Sequence, residues 1–292
     1  MKKVQTNSPT TFIMESLDKK FVRQYKRKTK GLYAYPRTVP IDKVLKLLDG
    51  SDVKHPKLLK NRFRCVDIEY IKGETLMVEP NLTGLITLIS NYIFGMSNIK
   101  CDPIMKYIKW TNTKEYYDFL VDNFIKSVDS YHNEIKVNSI GLTKDMLLKL
   151  KDKQIDETRK LRLIHGEIIP DNIICSADGY YLIDWELATY GDIAYELATH
   201  LIAVEYTPNS RNDLINRVAL SLGEDSQSLA LDIDTYMDFE YVRRCFSIMN
   251  KVIELMRKGK PFESVLDDGF KYYTMFFKDA NKEEIINKLK TS

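Results

Sequence analysis

The sequence predicts a two-lobed α/β (α+β) chain, with a small N-terminal antiparallel sheet plus one helix and a larger, mainly helical remainder. Three observations carry this. The chain has 292 residues, about the size at which a single hydrophobic core stops growing and a second lobe begins. Extended runs cluster ahead of residue 71, and helical periodicity dominates after it, with one compact β-rich interruption at 161–203. The expected division is therefore 1–71 and 72–292.

Residues Thr11 to Ser16 and Lys20 to Tyr25 read as a hairpin around the polar turn Leu17-Asp18-Lys19. Pro40 then opens an amphipathic helix, because Ile41, Val44, Leu45 and Leu48 recur at i, i+3, i+4 and i+7 and Gly50 supplies the stop. Phe63 to Tyr70 is a further extended run, and Lys72-Gly73-Glu74 breaks it, so the inter-lobe linker is expected near Glu69 to Gly73. Helices follow to about residue 160, the clearest being the run from Tyr116 to Val128, with a polar interruption from His132 to Gly141. The short runs Ile173 to Cys175 and Tyr180 to Ile183 then flank Asp178-Gly179, a hairpin signal. Asp192 is a good N-cap for a buried helix carrying Ala194, Leu197, Ala198, Leu201 and Ile202, and the pattern stays helical over roughly 210–290.

Composition excludes several classes. With 44% hydrophobic and 29% charged residues the chain is an ordinary globular protein rather than a disordered one. Its four cysteines, Cys65, Cys101, Cys175 and Cys245, form no C-x-x-C pair and have no zinc-ligand spacing, which fits a reducing compartment. The N-terminus lacks the apolar run of a signal peptide, and the most apolar stretch, Leu82 to Met96, is broken by Gly84, Thr87, Ser90 and Asn91. That stretch reads as a buried helix, and the expectation is a cytoplasmic protein that engages no membrane. Residues 1–62 carry 16 Lys or Arg against 5 Asp or Glu, while the remainder is net negative by eight. The basic run Lys26-Arg27-Lys28 with Lys30 is accompanied by no base-reading motif and reads as a solvated turn, so no nucleic-acid partner is expected. The acids Asp232, Asp234, Asp238 and Glu240 read first as a solvated helix start, with attraction of a cation as the sharper alternative.

Chemistry concentrates between residues 165 and 192. Folding the second hairpin on Asp178-Gly179 brings Asn172, just before its first strand, to Asp184, just after its second. Their side-chain oxygens suit Mg²⁺, an ion usually held by one or two protein groups with phosphates and water completing the shell. Glu167 lies five residues before Asn172, so a third oxygen group can face the same cleft as a base or orienting residue.

His165-Gly166-Glu167, Asn172, Ile183-Asp184-Trp185 and Gly191-Asp192, in that order and spacing, resemble the signature of aminoglycoside phosphotransferases and choline kinases. The resemblance implies a protein-kinase-like bilobal fold and transfer of the γ-phosphoryl group of ATP or GTP, with Mg²⁺, to a hydroxyl of a small molecule. It makes Asn172 and Asp184 the metal ligands, Glu167 the catalytic base, and His165 and Asp192 structural supports of the loop. It also points to Arg23, with Lys26 as the alternative, for the α- and β-phosphates, and to Glu69, Tyr70 and Ile71 for adenine. The net negative second lobe favours a cationic acceptor, aminoglycoside-like or an amino alcohol.

Two departures from that signature support a second reading, a nucleotide-binding pseudokinase. Glu167 stands where the pattern has Asp. One further methylene carries the carboxylate about 1 Å, and a misplacement of that size costs on the order of 100-fold unless the loop compensates. The glycine-rich phosphate loop is also replaced by a TNSPTT segment, with Asn7 and Ser8 as candidate backbone or hydroxyl donors. A protein kinase is disfavoured, since Asp184 is followed by neither Phe-Gly nor an Ala-Pro-Glu segment. Oligomeric state is open.

Overall fold

The computed structural model describes residues 2–4, 13–16, 18, 21–25, 38–76, 82–130 and 134–291. Asn7, Ser8 and the Lys26 to Lys30 run lie outside the described residues.

The N-terminal sheet has five strands in the order β1-β2-β3-β5-β4, all neighbours antiparallel: β1 Lys2–Val4, β2 Ile13–Glu15, β3 Phe21–Tyr25, β4 Leu58–Asn61 and β5 Cys65–Glu69. β2 and β3 pair on either side of the turn that contains Asp18, and β5 lies within the extended run expected from residue 63. Helix α1, Ile41–Leu48, buries Val44, Leu45 and Leu48 completely, as its i, i+3, i+4 spacing requires. It packs against both the 3₁₀ turn Asp102–Tyr107 and the 3₁₀ turn Trp185–Leu187. One N-terminal helix therefore leans on the segment that follows Asp184.

After β5 the chain changes sheet. β6, Glu74–Thr75, pairs with β8, Ile173–Ser176, which pairs with β9, Gly179–Leu182. Periodicity marks the 72–74 segment only as a break, because a two-residue strand has no period to detect. Gly73 sits against this sheet so closely that a Cβ there would lie 2.2 Å from the Cys175 carbonyl oxygen. A third small ladder joins β7, Arg162–Ile164, to β10, Thr189–Gly191.

The remainder is helical: α2 Leu82–Ser97, α3 Thr113–Ser130, α4 Glu134–Ser139, α5 Lys144–Lys151, α6 Ile193–Ala203, α7 Pro208–Leu222, α8 Ser226–Arg257, α9 Glu263–Tyr273 and α10 Lys282–Thr291. The polar interruption expected at 132–141 is corrected, since α4 occupies part of it. Val137 in it and Ile140 just past its end are 3% exposed, so an apolar residue inside a polar run and one behind it are enough to seat a short helix. α2 is the apolar stretch at 82–96 and is buried at Ile86, Ile89, Ile93 and Met96. Among the described residues no helix is long and apolar enough to cross a membrane. Helix α8, with 32 residues, is the spine: α6, α7 and α9 pack on it, and Tyr236, Phe239 and Phe246 fill the space beneath. The four acids expected at a helix start lie inside it instead, since α8 begins at Ser226 under an Asp225 cap.

Candidate active site

The site is built where the two small ladders meet. In the β8–β9 hairpin Ile173 faces Leu182 and Ser176 faces Gly179, and the Ile183 N–H donates to the Asn172 carbonyl at 2.8 Å. Asn172 and Asp184 thus stand together at the open end of the hairpin. Asp184 is in the left-handed region, φ 62° and ψ 52°, and is the single non-glycine residue with positive φ among those described. Such a conformation costs roughly 1–3 kcal/mol and persists where the surroundings over-determine it. Trp185 supplies part of that constraint, fully buried with its indole N–H donating to Leu182 O at 2.7 Å.

The loop from His165 to Asn172 is held from beneath by α6. Glu196, which is completely buried, accepts the backbone N–H groups of His165 at 2.5 Å, Gly166 at 2.9 Å and Ile168 at 3.0 Å. Burial pushes its carboxyl up to about 7, against the pull of those three donors. Gly166 takes φ +88°, and a Cβ there would meet Leu187 O at 2.9 Å, so the loop needs glycine at this point. His165 is buried against Trp185, ring centroids 4.6 Å apart. Its Nε2–H donates to Ile183 O at 2.8 Å and its Nδ1 accepts from the Glu167 N–H at 3.3 Å, the bonding of one neutral tautomer. Burial lowers its pKa to about 4.

Asp192 caps α6 by accepting from the Ala194 N–H at 3.0 Å, as its position predicts. It also lies 3.3 Å from Nε of Arg159, which in turn pairs with Asp232 of α8. All three are buried, so a charged knot ties the segment before β7 to α6 and α8. Burial pushes Asp192 up to about 6 despite Arg159.

Asn172 Nδ2 donates to the Glu167 carbonyl at 2.9 Å, which closes the loop and leaves the amide oxygen as the acceptor end of the side chain. Burial pushes the Glu167 carboxyl up, opposed by the nearby Arg244 and Arg243. Glu167 lines a hollow of about 220 Å³ together with Ile169, Arg243, Arg244, Ser247 and Tyr272.

Residues 7–230 match the phosphotransferase enzyme family. The chain belongs to that family. It is 27% identical over 177 residues to the Protein LicA homolog of Mycoplasma capricolum, a stretch covering 60% of this chain and 64% of that relative's length. The fold is shared with APH(2")-IIia, solved with GDP and kanamycin, at 15% identity and a TM-score of 0.61, over 96% of this chain and 93% of that one. It is also shared with an ethanolamine kinase of Plasmodium vivax, at 15% identity and a TM-score of 0.57, over 94% and 80% of the two chains. The bilobal protein-kinase-like class expected from the sequence is thereby the fold of this phosphotransferase family member.

The N-terminal residues predicted for nucleotide fall differently from those of the loop. Arg23 on β3 is committed to Asp67 of β5, with Nε–Oδ1 2.5 Å and Nη2–Oδ2 2.9 Å, and Arg62 shares the same carboxylate at 3.0 Å. Side chains alternate along a strand, so its neighbour Gln24 takes the other face. There Gln24 Nε2 donates to Asp184 Oδ1 at 3.2 Å and to Glu186 Oε2 at 2.8 Å. A neutral amide, not the guanidinium, is the β3 group that reaches the Asp184 segment. Glu69 ends β5, its carboxylate accepting the Lys57 N–H at 3.2 Å, while Tyr70 and Ile71 lie half-buried in the crossing to β6. The acids weighed as a lure for cations are each met by a protein cation: Asp232 by Arg159, Asp234 by Arg211, Asp238 by Lys153 and Glu240 by Arg243 and Arg244.

Sequence reasoning missed Glu196, Arg159, Gln24, Arg243 and Arg244. For Glu196 a signal existed, since a charged residue inside an otherwise apolar helix, at the fourth position after its cap, must find a buried partner. Arg243 and Arg244 had one too, lying three and four residues after Glu240 on a helical run, whereas Arg159 and Gln24 had none, because their partners are far away in the chain.

Proposed function

We propose that the chain is a kinase that transfers the γ-phosphoryl group of ATP or GTP to a hydroxyl of a small molecule. The carrying observation is Asp184, held in a left-handed conformation at the hairpin mouth beside Asn172 and facing the loop that bears Glu167.

Among the described residues no three His, Cys, Asp or Glu side chains form a metal cage. A pair of oxygen donors, Asp184 and the amide oxygen of Asn172, fits instead the way Mg²⁺ is held when phosphates and water supply the remaining ligands. When bound, Mg²⁺ neutralises charge on the phosphate oxygens. The chain's own groups do the positioning. Glu167 orients the acceptor O–H and takes its proton as the acceptor oxygen bonds to the γ-phosphorus. The bond from that phosphorus to the β–γ bridging oxygen breaks, and nucleoside diphosphate leaves. Glu196 and His165 keep the loop in place, and Asp192 anchors the helix beneath. Glu69, Tyr70 and Ile71, at the crossing between sheets, are the proposed adenine contacts. Arg23, with Lys26 as the alternative, is the proposed contact for the α- and β-phosphates, and Arg23 would exchange Asp67 for phosphate on binding.

The reading is tested by release of nucleoside diphosphate from Mg-ATP and Mg-GTP across a panel of hydroxyl acceptors, with Asp184→Asn as control. Acceptor-dependent release that disappears in the variant supports the kinase. Tight metal-dependent nucleotide binding with no release for any acceptor supports the pseudokinase, a second reading favoured by the neutral Gln24 on the inner face of β3 and by Glu167 in place of Asp.

A further inference from the structure

The far end of the β4–β5 hairpin carries a ring that the fold does not use. β4 is the edge strand of the N-terminal sheet. The Arg62 N–H donates to Cys65 O at 2.9 Å, which leaves Phe63 and Arg64 as the two residues at the tip. All of residues 59–64 are exposed, Phe63 at 94% and Leu59 at 54%. The charge around that ring is of one sign, since residues 53–66 contain five Lys or Arg and no Asp or Glu. Lys54 meets Asp178 and Arg62 meets Asp67. Lys60 and Arg64, on either side of Phe63 in the chain, are exposed and meet no carboxylate among the described residues. The acids packed against the hairpin are taken: Asp67 by Arg23 and Arg62, and Asp42 by Lys43 and the Asn61 amide. Glu69 stands at the other end of β5, beside the Lys57 N–H. Edge strands commonly carry lysine to discourage pairing with another sheet, and Lys60 fits that role. It gives no reason for an aromatic ring at the tip.

A convex tip encloses no small ligand, so it suits a surface. An anionic bilayer offers headgroups of opposite charge to Lys60 and Arg64 and, just beneath them, an apolar layer for Phe63 and Leu59. A single-stranded nucleic acid would need further rings on which successive bases stack, and Phe63 is the single aromatic residue of the hairpin, 57–69. We infer that the chain docks reversibly on membranes containing anionic lipid, with Phe63 and Leu59 entering the headgroup boundary and Lys60 and Arg64 meeting the anionic headgroups. This replaces the expectation of a protein that engages no membrane, which followed from the lack of a long apolar run and so bears on spanning alone. The inference is independent of the kinase reading. The tip lies at the opposite end of β5 from Glu69 and the crossing to β6, so substitutions there do not touch the proposed adenine contacts.

The test is co-sedimentation of the full chain with vesicles of phosphatidylcholine alone, or of phosphatidylcholine mixed with phosphatidylserine, at low and high salt. Binding to the mixed vesicles that weakens with salt, and far less binding to the neutral ones, is expected. Phe63→Ser should lower the partition coefficient on the order of 10-fold. Lys60→Gln and Arg64→Gln should lower it on the order of 5-fold each, while Phe63→Trp should keep the binding. The thermal midpoint of Phe63→Ser should stay at that of the parent, because the ring is open to solvent. No binding to the mixed vesicles overturns the inference, as does equal binding to the neutral ones or a Phe63→Ser variant that binds as the parent does. A single-stranded oligonucleotide whose binding Phe63→Ser abolishes, or a dimer that Phe63→Ser dissociates, in either case without vesicle binding, also overturns it by assigning the tip to another occupant.

Discussion

The loop from His165 to Asn172 and the β3–β5 pair both rely on a buried carboxylate, yet they use it in opposite ways. Glu196 receives backbone N–H groups from three residues of the loop, so it fixes the path of the chain itself. Asp67 receives two arginine side chains, Arg23 and Arg62, whose side chains are 20% and 41% exposed, and it fixes only where those side chains rest. A carboxylate spent on backbone cannot be replaced by another side chain. One spent on half-exposed guanidiniums shares its load, and water can take over part of it. The difference locates precision in the second lobe and leaves the N-terminal sheet adjustable.

The comparison is most strained at the knot behind the loop. Arg159→Met leaves Asp192 and Asp232 buried without their common cation and should cost about 3–5 kcal/mol, read as a lower urea midpoint at constant slope. Next is Glu196→Gln, which presents an NH₂ to backbone donors. It should lose about 2–3 kcal/mol and, by letting the loop shift, on the order of 100-fold in turnover. A variant that stays active despite such destabilisation would show that the loop holds itself without α6.

A smaller effect is expected from His165→Gln. In the folded protein the His165 pKa is lowered to about 4, below the unfolded value near 6.5. Its contribution to stability is therefore complete above about pH 6.5 and is lost as pH falls toward 4. The variant should lose less stability than the parent between pH 7 and pH 5, the slope differing by at most about 1.4 kcal/mol per pH unit. His200, also buried and lowered to about 4, keeps part of the slope in both proteins. Glu196 and Asp192, raised to about 7 and 6, act with the opposite sign, losing their contribution as pH rises through those values.

The smallest effect belongs to Arg23→Met, about 1 kcal/mol or less, because Arg62 still meets Asp67 and the pair is partly solvated. If it cost as much as Arg159→Met, the contrast between the two carboxylates would fail. Gln24→Ala sharpens the same point on the other face of the strand. It should cost about 1–3 kcal/mol, because it leaves the buried Glu186 carboxylate without this donor, and it should alter metal-dependent nucleotide binding, measured by calorimetry, since Gln24 touches Asp184 and Glu186.

Much of this was legible in the residues. The apolar spacing of α1, the Asp178-Gly179 turn, the Asp192 cap and the Asn172 to Asp184 separation are local, and local signals survive in one dimension because neighbours in the chain are neighbours in space. The short β6 and the α4 helix were not legible, being too brief for a period to emerge. Net charge counts Asp232, Asp234, Asp238 and Glu240 as negative surface, while each is matched by a cation from elsewhere or one turn along the helix.

By itself the sequence determined the α/β class and the placing of Asn172 and Asp184 at the two ends of one hairpin, since both follow from periodicity and from spacing within that hairpin. Only the tertiary structure decided which face of β3 turns inward. Arg23 and Gln24 are adjacent, a one-residue slip exchanges their faces, and the pairing of Arg23 with Asp67 in β5 settles it. Tertiary structure also decided what stands opposite Glu167, because Arg243 and Arg244 lie more than seventy residues away in the sequence and reach the hollow only when α8 packs against α6.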